Sequence, residues 1–291
     1  MNGRAGTAAV GVIGLGKMGL PIAARLVEGG FRVLGHDVHP AAVAAATAVG
    51  VEVVSRPQDV AAGAGTTLVL VGSDEELLAV VDDHLVGAAP GHLLLIGSTV
   101  APATSLEVGR RAESVGVAVL DAALARGEAP ARDGTLLVLA GGPADAFERA
   151  RPLLQCIASD VHLVGGLGAG QVAKMVNNYL LWLTVVGNYE ALRLASRMGV
   201  ELEPLRLALL QSSGANWALE TWQRPRPMPW AEADMAILLE CADEFGLPMP
   251  AAGTVRELIK QLKLDKAAWL DGGGVGRSMD EMVRSVESVA T

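Results

Sequence analysis

The feature that most constrains this sequence is a glycine-rich stretch at residues 14–19, GLGKMG, which follows an apolar run and precedes a helical pattern. Gly14 suits a tight bend, Gly16 lets the backbone approach a ligand, and Gly19 permits close packing of a helix against a strand. The free N–H groups and the positive dipole end of the following helix favour a diphosphate at this turn. The stretch therefore predicts a strand–turn–helix unit that binds a diphosphate.

An acidic residue, Asp37, ends the second strand-like run. It follows the glycine turn at the spacing of about 20 residues that dinucleotide-binding units show. Its carboxylate would accept hydrogen bonds from the ribose hydroxyls of adenosine and would repel a 2′-phosphate, and no arginine follows it. The pair of features predicts NAD as the cofactor, with NADP less favoured. A glycine turn that binds no nucleotide stays open as the alternative.

Strand-like and helical patterns alternate in the first part of the chain and give way to helical periodicity after Gly170. The strand-like runs are residues 8–14, 32–37, 66–72, 92–98, 117–124, 135–142 and 161–166. Because they are apolar and are linked by helices, they predict a largely parallel, doubly wound α/β sheet. We expect a Rossmann NAD-binding domain at 1–166 and an all-helical substrate and oligomerisation domain at 167–291. A long interdomain helix would join them and reach the nucleotide cleft, and the proline-rich segment 224–230 should be a loop.

Composition excludes several classes of function. The net charge is −9, and Lys and Arg are scattered, which argues against nucleic acid or an anionic membrane as a partner. Cys156 and Cys241 lie far apart, and the pair His36 and His39 lacks a third ligand, so we expect neither a disulfide nor a metal. With no signal pattern and no long apolar span, the sequence predicts a cytoplasmic protein.

Two polar residues stand out in the apolar helical pattern after Gly170. Lys174 and Asn178 are four positions apart and therefore share a helix face. A lysine among aliphatic neighbours is partly desolvated, so it could give a proton to a carbonyl oxygen as hydride arrives, while the asparagine orients that oxygen or the lysine. From spacing alone, a lysine that buries its stem and keeps its charge in water is the alternative.

The sequence resembles the β-hydroxyacid dehydrogenase family through four motifs in order. They are GLGKMGLPIA at 14–23, DAALARGEAPARDGTL at 121–136, GAGQVAKMVNN at 168–178 and ADMAILLE at 233–240. The resemblance implies a Rossmann domain joined by a long helix to a helical domain, and reversible NAD(P)-linked oxidation of a 3-hydroxy acid to its aldehyde or ketone. It places Lys174 at the catalytic lysine and Asn178 at the substrate-orienting asparagine.

The same resemblance implies the remaining contacts. Ser98 and Thr99 would lie near the nicotinamide, the Gly72-Ser73 pair over the cofactor, and Asp234 at the aspartate of a Lys-Asp-Leu motif. The residues predicted to bind the cofactor are Gly14, Leu15, Gly16, Lys17, Met18, Gly19, Asp37, Gly72, Ser73, Ser98 and Thr99. The residues predicted to bind the substrate are Ala125, Arg126, Gly127, Thr99 and Asp234.

The substrate loop departs from the family pattern D-x-P-V-S-G-G. Ala125 stands where a serine is usual, and Arg126 replaces a glycine, as in the similar sulfolactaldehyde reductase branch, where an arginine meets a sulfonate. We hypothesise that Arg126 clamps the acidic head group of the substrate through parallel hydrogen bonds. The alternative is a surface arginine paired with Glu128 or Asp133. Ala233 also replaces a usual lysine, and the stretch 216–234 is shorter than in typical members.

The leading hypothesis is an NAD-dependent oxidoreductase that interconverts a small acidic 3-hydroxy compound and its aldehyde or ketone, with Lys174 as general acid/base. An imine reductase-like NADP enzyme is the first alternative, and Lys174 and Asp37 count against it. A non-catalytic dinucleotide-binding protein is the second, suggested by Ala125 and Ala233. Relatives imply a homodimer or homotetramer, and the expected ligand is a small anionic substrate.

Overall fold

The computed structural model describes residues 9–224, 226, 228–271, 279 and 283, with 267–271 described as backbone alone. The chain forms two compact units, of which the first ends at Lys174 and the second begins at Met175. Each unit has its own apolar core.

The first unit is built on one eight-stranded sheet. Its strands are β1 (Ala9–Ile13), β2 (Arg32–His36), β3 (Glu52–Val53), β4 (Thr66–Val69), β5 (Leu93–Ile96), β6 (Ala118–Ala125), β7 (Leu136–Gly141) and β8 (Ala158–Gly165). Their order is β3-β2-β1-β4-β5-β6-β7-β8, and the β6–β7 pair alone is antiparallel. The predicted doubly wound, largely parallel sheet is confirmed. The two-residue strand β3 was not expected, because it is too short to show a periodic pattern.

Both faces of this sheet are buried. In β5, Leu93 and Leu95 join one apolar cluster while Leu94 and Ile96 join another, and all four are fully buried. Successive side chains of a strand point to opposite faces, so an unbroken apolar run is what a sheet covered on both sides requires. This burial explains why the strands read as continuous apolar runs rather than as alternating ones.

Helices connect the strands of the first unit. They are α1 (Gly19–Glu28), α2 (Pro40–Ala48), α3 (Pro57–Gly63), α4 (Asp74–Gly87), α5 (Pro102–Glu113), α6 (Glu128–Asp133) and α7 (Ala144–Ile157). Three of them begin at a proline, whose fixed φ suits the first helical turn and whose missing N–H is not needed there.

The second unit is helical wherever the structure describes regular elements. Helix α8 (Ala169–Arg197) has 29 residues and contributes residues to both units. It is followed by α9 (Leu202–Leu209), α10 (Trp217–Glu220), α11 (Ala231–Glu244) and α12 (Pro250–Asp271). The predicted all-helical character is confirmed. In the segment 224–230, the described residues are in neither helix nor strand, as expected, while Pro225 and Pro227 lie outside the described residues.

No helix in the described part of the chain is long and apolar enough to span a lipid bilayer. The described residues also bring together no group of three or more His, Cys, Asp or Glu side chains that could hold a metal ion.

Two histidines are buried against each other in the first unit. His84 of α4 and His92, which precedes β5, are 0% and 4% exposed, and their ring centroids are 4.9 Å apart. Neither ring nitrogen of His84 has a hydrogen-bond partner among the described residues. Burial, followed by the effect of His92, lowers the pKa of His84 to about 3. The folded protein therefore keeps His84 neutral at mildly acidic pH.

We expect acid to destabilise the protein through His84. The unfolded chain protonates this histidine near pH 6.5 and the folded chain only near pH 3. The free energy of unfolding should therefore fall by up to about 1.4 kcal/mol for each pH unit below pH 6.5. Urea titrations at about pH 7, 6 and 5, in one-unit steps through this range, measure the slope. His84→Leu should flatten it and the exposed-site control His162→Gln should not; an equal slope in His84→Leu would contradict the assignment.

Candidate active site

The loops that carry the predicted cofactor residues lie at one edge of the sheet. Strands β1, β2, β4, β5 and β6 are parallel, so the loops that follow them emerge at the same side. These loops contain residues 14–18, directly before Gly19 of α1, and also Asp37, Gly72–Ser73, Ser98–Thr99 and Arg126–Gly127. The strand order reverses between β1 and β4, and such a switch point opens a crevice that ligands occupy in α/β proteins. The structure therefore brings the predicted cofactor turn and substrate loop to one edge.

The three glycines of the first turn meet different demands. Gly14 has φ +86°, and a Cβ there would overlap the carbonyl oxygen of Leu70. A Cβ at Gly19 would overlap the carbonyl oxygen of Gly14. At Gly16, in contrast, a Cβ would meet nothing within 4 Å. Two of the glycines are thus required by packing, and the third borders open space.

The N-terminus of α1 and Asp37 complete this part of the edge. Met18 is the N-cap residue of α1, and no side chain caps the helix. The carboxylate of Asp37 accepts hydrogen bonds from Leu15 N at 2.7 Å and from His39 N at 2.8 Å, and so fixes the turn next to the end of β2. Gly16 and Lys17 are exposed. An uncapped helix end, open space at Gly16 and a partly exposed carboxylate fit a dinucleotide, because they offer N–H donors to phosphate and acceptors to ribose hydroxyls.

Ser73 and Ser98 stabilise the next two loops. Ser73 caps α4 by accepting a hydrogen bond from Glu76 N at 3.2 Å, and Glu76 in turn accepts one from Gly72 N at 2.8 Å. Ser98 is 4% exposed, and its hydroxyl accepts a hydrogen bond from Val71 N at 2.7 Å. Both serine side chains thus have a structural role in the loops that the sequence assigned to the cofactor.

Asp121 is a buried site-forming residue to which the sequence analysis assigned no role. It lies in β6, is fully buried, and accepts hydrogen bonds from Gly168 N and Gln171 N, each at 2.8 Å. Burial raises the pKa of its carboxyl, and the hydrogen bonds from these backbone N–H groups oppose that shift. A Cβ at Gly141 or Gly170 would approach a carboxylate oxygen of Asp121 to 2.5 Å. The carboxylate therefore anchors the start of α8, and a charged residue inside an apolar strand pattern was the signal for it.

Gln171 is the second residue that the sequence analysis missed. Its side chain is 1% exposed and bridges to the loop after β5, donating to Ser98 O at 2.8 Å and accepting from Val100 N at 3.2 Å. Lys174 follows three positions later, which is about one turn of the same helix. The Asp121 and Gln171 contacts thus fix the first turn of α8 against the sheet edge, directly before Lys174.

Lys174 and Asn178 both lie in α8, four positions apart. Lys174 is partly buried. Asn178 is 4% exposed, and its side-chain oxygen accepts a hydrogen bond from Asn177 Nδ2 at 3.2 Å.

Arg126 has an unusual backbone conformation, and its partner is neither of the two acids, Glu128 and Asp133, that the sequence suggested. Its φ is +84°, a left-handed conformation that is rare for a residue with a side chain. Nη1 donates to Asp160 Oδ2 at 2.7 Å, Ser159 Oγ at 2.9 Å and Thr135 O at 3.1 Å, so its counter-charge is Asp160 rather than Glu128 or Asp133. Among the described residues, Nε and Nη2 have no hydrogen-bond acceptor.

Two residues flank Arg126 in the substrate loop. They are Ala125, which is buried, and Gly127, which has φ +87°.

In the second unit, Asp234 Oδ2 accepts a hydrogen bond from Trp182 Nε1 at 2.9 Å. This contact ties α11 to α8 and gives Asp234 a role in packing.

Comparison with known proteins identifies the chain. Residues 9–166 match the model of the NAD-binding domain of 6-phosphogluconate dehydrogenase. The chain belongs to the β-hydroxyacid dehydrogenase family. Residues 168–274 match a second model, described as the NAD-binding domain of NADP-dependent 3-hydroxyisobutyrate dehydrogenase.

Individual members of the family are similar over most of their length. The chain is 39% identical over 228 residues to 3-hydroxyisobutyrate dehydrogenase of Pseudomonas aeruginosa, covering 77% of this chain and 76% of that one. It is 36% identical over 254 residues to the NAD-dependent L-serine dehydrogenase of the same organism, covering 84% and 85%. The solved structure of Mycobacterium tuberculosis 3-hydroxyisobutyrate dehydrogenase with L-serine gives a TM-score of 0.84 at 26% identity, covering 96% and 99%.

Membership of the β-hydroxyacid dehydrogenase family confirms the predicted class. The chain is an NAD-dependent oxidoreductase with a dinucleotide-binding domain and a helical domain.

Proposed function

We propose that this dehydrogenase interconverts a small 3-hydroxy acid and its aldehyde or ketone, with Lys174 as the general acid/base. The observation that carries the proposal is the bridge made by Gln171, which bonds to Ser98 O and Val100 N. Ser98 and Val100 follow β5 at the sheet edge of the glycine turn. Lys174 comes about one turn after Gln171 in the same helix and is partly buried, which supports its assignment as the acid/base.

The turn at residues 14–19 and Asp37 would hold the cofactor, which would supply the hydride acceptor as NAD for oxidation and the hydride donor as NADH for reduction. Lys174 Nζ takes the hydroxyl proton during oxidation and gives it back during reduction, so that the oxygen of the bound substrate does not carry a full negative charge. The Asn178 amide orients the reacting oxygen. Asp121 and Gln171 act through Lys174, because they fix the backbone from which it extends. The carboxylate of Asp37 favours NAD over NADP, since a 2′-phosphate beside it would be repelled.

The acid group of the substrate is assigned to Arg126. One nitrogen of this guanidinium is already held by Asp160, which fixes the side chain, while Nε and Nη2 have no acceptor among the described residues. These two nitrogens form one edge of the guanidinium and can give parallel hydrogen bonds to a carboxylate or sulfonate. The neighbouring Asp160 carboxylate weakens the attraction, so the site favours an anion that can be gripped by both nitrogens.

Arg126→Ala should raise KM for the acid substrate about tenfold or more and leave kcat within a few-fold, because a charge-assisted hydrogen bond is lost in ground and transition states alike. Steady-state kinetics with NAD saturating measures both constants. Arg132→Ala removes an exposed arginine of α6 and is the matched control. An unchanged KM in Arg126→Ala would refute the clamp without affecting the assignment of Lys174.

The substrate class is tested by a panel of three-carbon alcohols that differ in the acid group. L-serine and 3-hydroxyisobutyrate carry carboxylates and are named for relatives of this chain. Sulfonate, phosphonate and phosphate analogues complete the panel. NADH absorbance should appear with at least one acid and not with its uncharged counterpart. Failure of every acid to reduce NAD would contradict the proposed reaction.

We also propose that the protein is a homodimer or homotetramer. The support is an exposed apolar row on α8 in the second unit, where Val176, Leu180 and Leu183 are 45%, 52% and 36% exposed at helical spacing. Sedimentation equilibrium of the full chain gives the oligomer mass directly.

A further inference from the structure

Arg226, in the second unit, has a largely buried guanidinium with an incomplete set of partners. Nη2 donates to Thr221 Oγ1 at 2.6 Å, and Cζ lies 5.2 Å from the centre of the Trp217 ring. Nε is buried, and no described residue accepts a hydrogen bond from it. Burial, together with the charge of Arg224, lowers the pKa of Arg226 to about 10. A guanidinium remains charged in proteins, and burial of a charge calls for a counter-charge, which no described residue supplies to Arg226.

A second cation contacts the backbone of Arg226. Lys266 Nζ donates to the backbone oxygen of Arg226 at 2.8 Å, and burial lowers the pKa of this lysine. In the part of the chain that the structure describes, neither cation forms an ion pair with a carboxylate. Arg206 of the same unit provides the contrast, because its Nε and Nη2 donate to Glu203 at 2.9 and 2.8 Å. Arg226 and Lys266 are thus two partly buried cations with no carboxylate partner among the described residues.

The contacts that Arg226 does make leave part of its hydrogen-bonding capacity unused. Stacking on Trp217 uses the face of the guanidinium, whereas its N–H bonds lie in the plane. The Thr221 hydroxyl donates to Trp217 O at 2.8 Å and so presents its lone pairs to Arg226. The same segment contains another buried donor with no acceptor among the described residues, Trp222 Nε1. The unmet hydrogen-bonding capacity at this place consists of donors.

We infer that Arg226, assisted by Lys266, binds the oxyanion group of a small molecule in the helical unit. A carboxylate, phosphate or sulfonate has the charge and the in-plane acceptors that the guanidinium requires. The site is formed by the segment that carries Arg226 and by Lys266 of α12, and it does not depend on the reaction proposed above.

The test is a fluorescence and calorimetric titration of the full chain with inorganic phosphate and with malonate, against sodium chloride at equal ionic strength. Saturable binding is expected, with a change in tryptophan emission because Trp217 stacks on Arg226. Arg226→Gln should weaken binding at least about tenfold. Arg256→Gln, at an exposed arginine that pairs with Glu257, is the matched control and should bind normally. No saturable binding by the wild type, or equal binding by Arg226→Gln, would overturn the inference.

Circular dichroism and NAD binding establish that Arg226→Gln is folded. If it is not, Lys266→Met gives the same comparison, since it removes the second charge and keeps the length of the side chain. A loss of affinity in Lys266→Met supports the site, and unchanged affinity overturns the role of the pair.

Two sources of the oxyanion are distinguished by kinetics. If the substrate supplies it, phosphate competes with the substrate and Arg226→Gln raises KM. If a free anion supplies it, Arg226→Gln loses phosphate binding with KM unchanged. The titration does not involve turnover, so failure of the proposed reaction leaves the binding result intact, and the two failures are distinguishable.

Discussion

Replacing Lys174 by Met is expected to lower kcat by about 10²–10⁴-fold, the usual contribution of a positioned general acid/base. Methionine keeps an unbranched side chain in α8 but can neither accept nor return a proton. Because Asp37 and the turn at Gly14–Gly19 are unchanged, the dissociation constant for NAD should stay within about twofold, well under the tenfold that 1.4 kcal/mol represents. Single-turnover NADH formation and NAD titration of the same preparation separate the two effects.

Lys260→Met is the matched control for this change. Lys260 lies on α12 and donates to Glu257 at 2.9 Å, so its replacement removes an exposed lysine of the second unit without touching the start of α8. Its kcat should equal that of the wild type. If Lys174→Met keeps turnover within about tenfold of the wild type, the proton is carried by another group, since that loss is smaller than general acid/base catalysis normally contributes.

The pH dependence of the reaction supplies a second criterion for Lys174. A general base must be unprotonated for oxidation and protonated for reduction, so the two directions should have opposite pH dependence in kcat. A merely structural lysine would change both directions alike. The comparison therefore separates proton transfer from a loss of packing.

The fold could be predicted from local patterns, and the predicted elements fall where the patterns are strongest. The glycine turn, the strands of the doubly wound sheet and the long helix α8 each occupy a continuous stretch of sequence, so their period or turn chemistry is visible without the rest of the chain. Asp37 and Arg126 could be placed at the sheet edge for the same reason, since each follows the end of a strand.

The partners of these residues could not be predicted, because they are distant in sequence. Asp121 and Gln171 are 50 positions apart, Gln171 and Ser98 are 73 apart, and Arg126 and Asp160 are 34 apart. A hydrogen bond between two residues so far apart produces no periodic pattern in the sequence. For Arg126 the spacing suggested the acids of α6, the helix that follows it, whereas the sheet places Asp160 of β8 beside it through β7. The order of the strands in the sheet thus determines which acid pairs with Arg126.

The second large effect is expected in the glycine turn, where replacement of Gly19 and replacement of Gly16 should each reduce NAD binding, for different reasons. Gly19→Ala should reduce stability by about 1–3 kcal/mol or more, the range for overpacking a buried site, and should also abolish tight NAD binding. The new Cβ would overlap the carbonyl oxygen of Gly14, so α1 must move away from the turn. Urea denaturation measures the loss of stability.

Gly16→Ala should weaken NAD binding as well, but without a loss of stability. Its Cβ meets nothing within 4 Å in the protein, so stability should remain within about 0.5 kcal/mol of the wild type. The methyl group would nevertheless occupy the space through which the backbone approaches the pyrophosphate, and NAD affinity should fall at least about tenfold. Equilibrium titration with NAD, beside the urea measurement, gives both quantities for each variant.

Gly253→Ala, within α12, shows what alanine does where it meets no neighbour, and it should stabilise the helix by up to about 1 kcal/mol. Wild-type NAD affinity in Gly16→Ala would mean that the diphosphate does not approach this backbone, and the cofactor would have to be placed elsewhere along the edge. Equal losses of stability in Gly16→Ala and Gly19→Ala would instead show that the turn tolerates no side chain for reasons of folding alone. Only the separation of the two effects assigns the open space at Gly16 to the cofactor, because packing explains Gly14 and Gly19 without any ligand.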